Sequence, residues 1–350
     1  MPNGQSGARL LVADLAATSR NWSLTSDARQ RIVASTPRGW RVHFVSAPTV
    51  SDGDGGHATS DEVLSVVPDA EAYFGFGLSK AVFEAGTKLK WVHSAAAGVG
   101  AALFPEMVAS DVILTNAAGI YGKPIAQHVL GGVLYFLRSF DIAGTLQREA
   151  KWDKQPFVGD ASQVRELADC TVLVIGAGGL GSAIAEAMAH FGACCVGVRK
   201  HPDRPLPDGF ERTVGPDSID AELASADVVV LSAPATPETR ALLDARRIAR
   251  LKGDAIVVNV GRGSLIDEDA LIGALEAGKL RGAVLDVFGT EPLPESSPLW
   301  ALENVLITPH VSGVSPNWYW PRQLDLFLDN WSRYDAGRPM RNIVDKRSGY

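Results

Sequence analysis

Residues 171–192 read TVLVIGAGGLGSAIAEAMAHFG, an apolar run, a glycine turn and a helical stretch in succession. A short apolar run, TVLVI (171–175), ends in a GxGxxG turn formed by Gly176, Gly178 and Gly181 and opens into an Ala-rich helical stretch. Gly176 suits the tight turn, Gly178 lets backbone approach a pyrophosphate, and Gly181 lets helix and strand pack closely. The helix N-terminus adds unpaired N–H groups and a partial positive charge for the phosphates. A bare glycine pattern is weak, but strand before and helix after make it a dinucleotide-binding turn.

The next apolar run indicates which dinucleotide. CCVGVRKHP (194–202) ends in Arg199, Lys200 and His201, with no acid before Asp203. An Asp or Glu at this place would accept hydrogen bonds from ribose hydroxyls. Arg199 cannot accept one. It can hold a 2′-phosphate through charge-assisted contacts, aided by Lys200. The expected cofactor is therefore NADP, with NADPH preferred and NAD possible.

Further out, DVVVLSAP (227–234), AIVVNVG (255–261), GAVLDVF (282–288) and NVLITPH (304–310) continue the pattern. With 171–176 and 194–199 they make six near-continuous Val/Ile/Leu runs separated by helical stretches. Such runs predict a Rossmann-type, doubly wound parallel sheet covered on both faces, over residues 120–315. Before it, RLLVADL (9–15), WRVHFV (40–45), AYFGFG (72–77), LKWVHS (89–94) and VILTNA (112–117) read as strands of a second α/β domain. One long helix is expected from Pro124 across PIAQHVLGGVLYFLRSFDIAGTLQREAKW, and an amphipathic helix at 325–337 should return to the first domain. SDGDGGHATS (51–60) is a polar loop that lacks the Gly and Glu of a calcium loop.

The 350 residues suit two domains. Apolar residues make up 46% and charged residues 21%, an ordinary globular balance that excludes whole-chain disorder, collagen and coiled coil. A net charge of -7 argues against a nucleic-acid partner. Cys170, Cys194 and Cys195 form no disulfide framework and no zinc spacing, which fits a cytoplasmic setting. The start, MPNGQSGARLLVADL, shows no secretory pattern, and no apolar run suits a membrane span.

Three more strand ends carry polar residues in apolar contexts: Arg262 in NVGRG, Asp286 and Glu291 in LDVFGTEPL, and His310 in TPH. Ligands of open α/β sheets bind at the carboxyl ends of the strands, so these residues can converge beside the cofactor. In this order after GxGxxG, the motifs resemble the D-isomer-specific 2-hydroxyacid dehydrogenase family, clearly from about residue 89 onward. The resemblance implies an α/β fold in which the Rossmann domain is inserted into a smaller flavodoxin-like substrate domain (1–119 and 316–350). It also implies hydride transfer between NADPH and a small 2-oxo acid to give a D-2-hydroxy acid, and a homodimer built on the helix after Pro124.

On the same resemblance His310 is the acid/base, Glu291 its partner, Arg262 the substrate anchor, and Asp286 a ligand of the nicotinamide carboxamide. Gly176, Gly178, Gly179, Leu180, Gly181, Arg199, Lys200, Pro234, Thr239, Val260 and His310 border the cofactor. No metal is implied. Ala97 and Gly98, in the small-residue loop WVHSAAAGVGAAL (91–103), offer N–H groups to the substrate carboxylate, as His310 and Arg262 contact the substrate. Gly100 and Gln127 stand where many members have Asp and Glu. The chemistry agrees: hydride arriving at a ketone carbon leaves charge on oxygen, and histidine, whose imidazolium a neighbouring carboxylate favours, delivers the proton. Arg fits a carboxylate in a way Lys cannot.

His93 and His128 read as packing or hinge residues. Trp318, Tyr319 and Trp320 border the pocket or pack an interface between domains or subunits. Glu291 argues against formate dehydrogenase, which has Gln there. The chain is short for a 3-phosphoglycerate dehydrogenase with an added regulatory domain. The remaining alternative is a cofactor-sensing, corepressor-like binding protein of the same fold.

Overall fold

The structure, a computed structural model, describes residues 8–19, 22–48 and 59–349. The start of the chain (1–7) and most of the polar loop at 51–60 lie outside the described residues. The chain divides into two units, Met1–Tyr121 with Val314–Tyr350, and Gly122–Gly313.

In the first unit the strands β1 (Arg9–Asp14), β2 (Trp40–Phe44), β3 (Ala72–Gly75), β4 (Trp91–Ser94) and β5 (Ile113–Thr115) form a parallel sheet. Its order, β2-β1-β3-β4-β5, is the flavodoxin-like order. The tail does return to this unit, as the helix Tyr319–Asp335. Trp320, Leu324, Phe327 and Trp331 recur at helical spacing and are buried. Phe327 stacks on Phe74 at 4.0 Å and lies parallel to Trp91 at 5.6 Å. Each such buried side chain stabilises the unit by about 1.5–3 kcal/mol.

In the second unit β6 (Thr171–Ile175), β7 (Cys194–Val198), β8 (Arg212–Val214), β9 (Val228–Leu231), β10 (Ile256–Asn259), β11 (Gly282–Leu285) and β12 (Val305–Ile307) lie in the order β12-β11-β10-β9-β6-β7-β8, all parallel. Counted from the glycine strand this is 3-2-1-4-5-6 with a seventh strand added, the doubly wound order of dinucleotide-binding domains. The apolar runs are continuous because both faces are buried. Leu173, Val229, Val257 and Ala283 face one core, and Val172, Val228, Ile256 and Val284 face the other.

Two expectations need correction. Six apolar runs predict six strands here, whereas β8 adds a seventh: RTV is short, polar and at the sheet edge, so no apolar run announces it. The single helix from Pro124 is two helices, Gly122–Leu137 and Phe140–Arg148, bent by 67°. Ser139 breaks the run in the left-handed region (φ 53°). Pro124 sits in the first turn, where its missing N–H is not needed. No single helix among the described residues is long and apolar enough to cross a membrane.

Candidate active site

Strand register sets the site. Ile175 is level with Val198 and Leu231, Leu231 with Asn259, Asn259 with Leu285, and Leu285 with Ile307. One step further, Gly176, Arg199, Ser232, Val260, Asp286 and Thr308 therefore stand in one row at the carboxyl edge. The chain order reverses between β6 and β9, which makes this edge the ligand-binding crevice of the sheet.

The three glycines differ in what surrounds them. Gly176 has φ +111°, and a Cβ there would lie 2.5 Å from the Ala233 backbone nitrogen. A Cβ on Gly181 would lie 2.2 Å from the Gly176 carbonyl oxygen, so helix and strand touch through hydrogen. Around Gly178 a Cβ would meet nothing within 4 Å. Gly178 caps the helix Gly179–Ala189 without any side-chain hydrogen bond, leaving the first N–H groups, including those of Gly179 and Leu180, to a ligand. This arrangement fits a dinucleotide pyrophosphate.

Arg199 ends β7, and its guanidinium folds back on its own loop. It donates to the carbonyls of Pro202 (3.3 Å), Pro205 (3.1 Å) and Arg204. Carbonyls neutralise none of its charge, and Lys200 beside it is exposed. After β9, Thr239 donates to the Pro234 carbonyl (2.7 Å) and accepts from the Thr236 N–H, closing that loop. Val260 is buried, its N–H on the Leu231 carbonyl.

After β10, buried Asn259 staples the NVGRG turn. Its side chain donates to the Arg262 carbonyl (3.0 Å) and accepts from the Gly261 N–H (3.1 Å). Arg262 Nη1 donates to the Gly261 carbonyl (2.7 Å). A Cβ on Gly263 would lie 1.9 Å from Phe288, so this turn presses directly on the loop after β11. In that loop Glu291 accepts from the Phe288 N–H (2.9 Å), and its other oxygen pairs with His310 Nδ1 at 2.7 Å. Both side chains stay partly exposed, with Glu291 held on the Nδ1 side of the ring. Arg262, Glu291 and His310 thus lie on three touching loops.

Asp286 is buried. Burial opposes its charge, but donors from Ser312, the Thr308 hydroxyl and the Val311 and Ser312 N–H groups outweigh it and hold the carboxyl below its ordinary range. It organises the turn bearing His310, so a carboxamide would share it with these donors. His128 Nε2 meets the Thr308 hydroxyl at 3.2 Å. The sequence motifs do not single out Asn259, Gly263 or Thr308. Only the glycine beside Arg262 and the threonine of TPH gave a signal.

In the first unit Ala97 and Gly98 follow β4 in a loop pinned from three sides. The Asn116 side chain donates to the Ala97 carbonyl (2.8 Å), and the Tyr121 and Tyr319 hydroxyls both donate to the Ala95 carbonyl (3.0 and 3.2 Å). Tyr319 and Trp320 are core residues of this unit, which corrects their placement at a pocket or interface; Trp318 alone is exposed. His93 is buried among Phe74, Trp91 and Phe327, and burial lowers its pKa to about 3. Burial pushes the Cys170 and Cys195 thiols up to about 11 and about 12. Among the described residues, no group of three or more His, Cys, Asp or Glu forms a metal site.

A doubly wound sheet with a glycine turn over a helix N-terminus, and a His–Glu pair at the same edge, defines a dinucleotide-dependent oxidoreductase. The model of the D-isomer specific 2-hydroxyacid dehydrogenase NAD binding domain matches residues 130–312. Glyoxylate/hydroxypyruvate reductase A of Escherichia fergusonii is 33% identical over 276 residues, 76% of this chain and 83% of that protein. A D-isomer specific 2-hydroxyacid dehydrogenase from Xanthobacter autotrophicus Py2, solved with NADPH and MES, is 31% identical with a TM-score of 0.76, over 99% of this chain and 100% of that one. The NADPH-dependent glyoxylate/hydroxypyruvate reductase of Sinorhizobium meliloti, solved with NADP and sulfate, is 26% identical with a TM-score of 0.78, over 98% and 100%. The chain belongs to the D-isomer specific 2-hydroxyacid dehydrogenase family.

Proposed function

We propose that the protein reduces a small 2-oxo acid to its D-2-hydroxy acid with NADPH, glyoxylate and hydroxypyruvate being the first candidates. The observation that carries this reading is the 2.7 Å His310–Glu291 pair at the sheet edge that holds the glycine turn. Bound NADPH supplies the hydride. Gly176, Gly178, Gly179, Leu180 and Gly181 hold the pyrophosphate, with Pro234, Thr239 and Val260 along the cofactor. The positive charges of Arg199 and Lys200 take the 2′-phosphate. Glu291 fixes the His310 ring through Nδ1, so Nε2 gives its proton to the substrate oxygen. Arg262 pairs with the carboxylate and polarises the carbonyl, and Ala97 and Gly98 are further candidate carboxylate contacts. Orienting a small acid in this way lowers the barrier by several kcal/mol.

The names of the relatives support the substrate class and the cofactor. A homodimer is supported by the segment after the helix break, where Phe140, Trp152 and Val158 are 56%, 90% and 72% exposed. We place it in the cytoplasm. The test is a panel of glyoxylate, hydroxypyruvate, pyruvate and phenylpyruvate with NADPH and NADH. NADPH consumption with at least one acid is expected. Tight NADPH binding with no consumption by any of them overturns the reading.

A further inference from the structure

The turn that carries His310 is held from outside itself. His310 has φ 54°, in the left-handed region. A non-glycine residue there is strained and persists only where its surroundings fix it. Asp286 does the fixing: its carbonyl accepts the His310 N–H (2.9 Å), and its carboxylate accepts the N–H groups of Val311 (2.9 Å) and Ser312 (3.0 Å). The Thr308 hydroxyl aims that carboxylate, donating its one proton to Oδ1 at 2.6 Å. An ionised carboxylate has no proton to return, so Thr308 can only accept from its other neighbour, His128 Nε2, at 3.2 Å. This assigns the Nε2 proton of His128.

We infer that His128 and Thr308 are positioning residues for the proposed acid/base: a relay from His128 through Thr308 to Asp286 sets the backbone of His310 and so the aim of its imidazole. His128 is then neither a packing residue nor a hinge. The relay joins a side chain of the helix Gly122–Leu137 to the catalytic turn, 180 residues away in sequence. Neither His128 nor Thr308 touches the reacting atoms. Their loss should lower turnover and leave cofactor binding alone. The inference rests on the reading of His310 as the acid/base.

The test uses Thr308→Val, which removes the hydroxyl at similar volume, Thr308→Ser, which keeps it, and His128→Phe. Each is assayed with NADPH and the best acid of the panel, alone and combined with His310→Asn. Thr308→Val is expected to lower kcat at least tenfold, with NADPH Kd within twofold of wild type. Thr308→Ser should restore most of kcat, and His128→Phe should lower it severalfold. In the His310→Asn background either change should alter residual activity less than twofold, because no imidazole remains to be aimed. Should Thr308→Val not fold, His128→Phe carries the same comparison. Wild-type kcat in both Thr308→Val and His128→Phe, or an undiminished loss in the His310→Asn background, overturns the relay while His310 keeps its role. Full activity of His310→Asn itself removes the acid/base reading, and the relay with it.

Discussion

Alanine at Gly178 and at Gly181 should have opposite consequences although only Gly179 and Leu180 separate them. At Gly181 the new methyl would lie 2.2 Å from the Gly176 carbonyl oxygen and 3.1 Å from Val174 Cγ1. Ordinary contact begins near 3.4 Å, so the helix Gly179–Ala189 must retreat by about 1 Å from β6. Overpacking of this kind costs about 1–3 kcal/mol. At Gly178 the methyl meets no protein atom within 4 Å, and φ −94°, ψ −161° is open to any residue. Gly178→Ala should leave stability unchanged or raise it by up to about 1 kcal/mol through the unfolded chain. Its methyl would instead occupy the space proposed for the pyrophosphate. Losing one charge-assisted hydrogen bond, about 1.5–3 kcal/mol, weakens NADPH binding roughly 10- to 100-fold. Urea unfolding and NADPH fluorescence titration of both variants separate the two effects. A Gly178→Ala protein that binds NADPH as wild type does would refute the placement of the pyrophosphate, and an equally stable Gly181→Ala protein would refute the packing argument.

Arg199→Asp should invert the preference between NADPH and NADH, read as the ratio of kcat/KM for the two; an unchanged ratio removes Arg199 from 2′-phosphate recognition. Phe327→Ala empties the stack between Phe74 and Trp91 and should cost about 3–5 kcal/mol in chemical denaturation. His93 is neutral in the native state, with a pKa of about 3, but takes a proton in the unfolded chain near pH 6.5. The unfolded state therefore binds more protons as pH falls from 6.5 toward 3, and His93 should remove about 1.4 kcal/mol of stability per pH unit there. Unfolding free energies at pH 7 and 5.5 should diverge less in His93→Gln than in wild type; equal pH dependence would contradict a buried neutral ring.

What was legible in the sequence was whatever depends on burial and on glycine. The strand cores are unbroken Val/Ile/Leu runs because both faces of each sheet are covered, and Gly176 and Gly181 are demanded by backbone atoms within 2.5 Å. The family's motifs named Arg262, Glu291 and His310, and the structure brings Glu291 and His310 into contact. Less legible were features set by register or by single torsions. The break at Ser139 interrupts a helical apolar period that continues on both sides. Asn259 and Thr308 act only because neighbouring strands end level with each other. Tyr319 and Trp320 read in sequence as pocket or interface aromatics, yet their helix turns them into the first unit's core.

Single-turnover oxidation of NADPH by glyoxylate and by hydroxypyruvate, comparing wild type with His310→Asn at matched cofactor occupancy, tests whether His310 delivers the proton. Loss of a positioned general acid should slow turnover by about 10²–10⁴-fold, with NADPH affinity unchanged. Turnover near the wild-type rate in His310→Asn would contradict it.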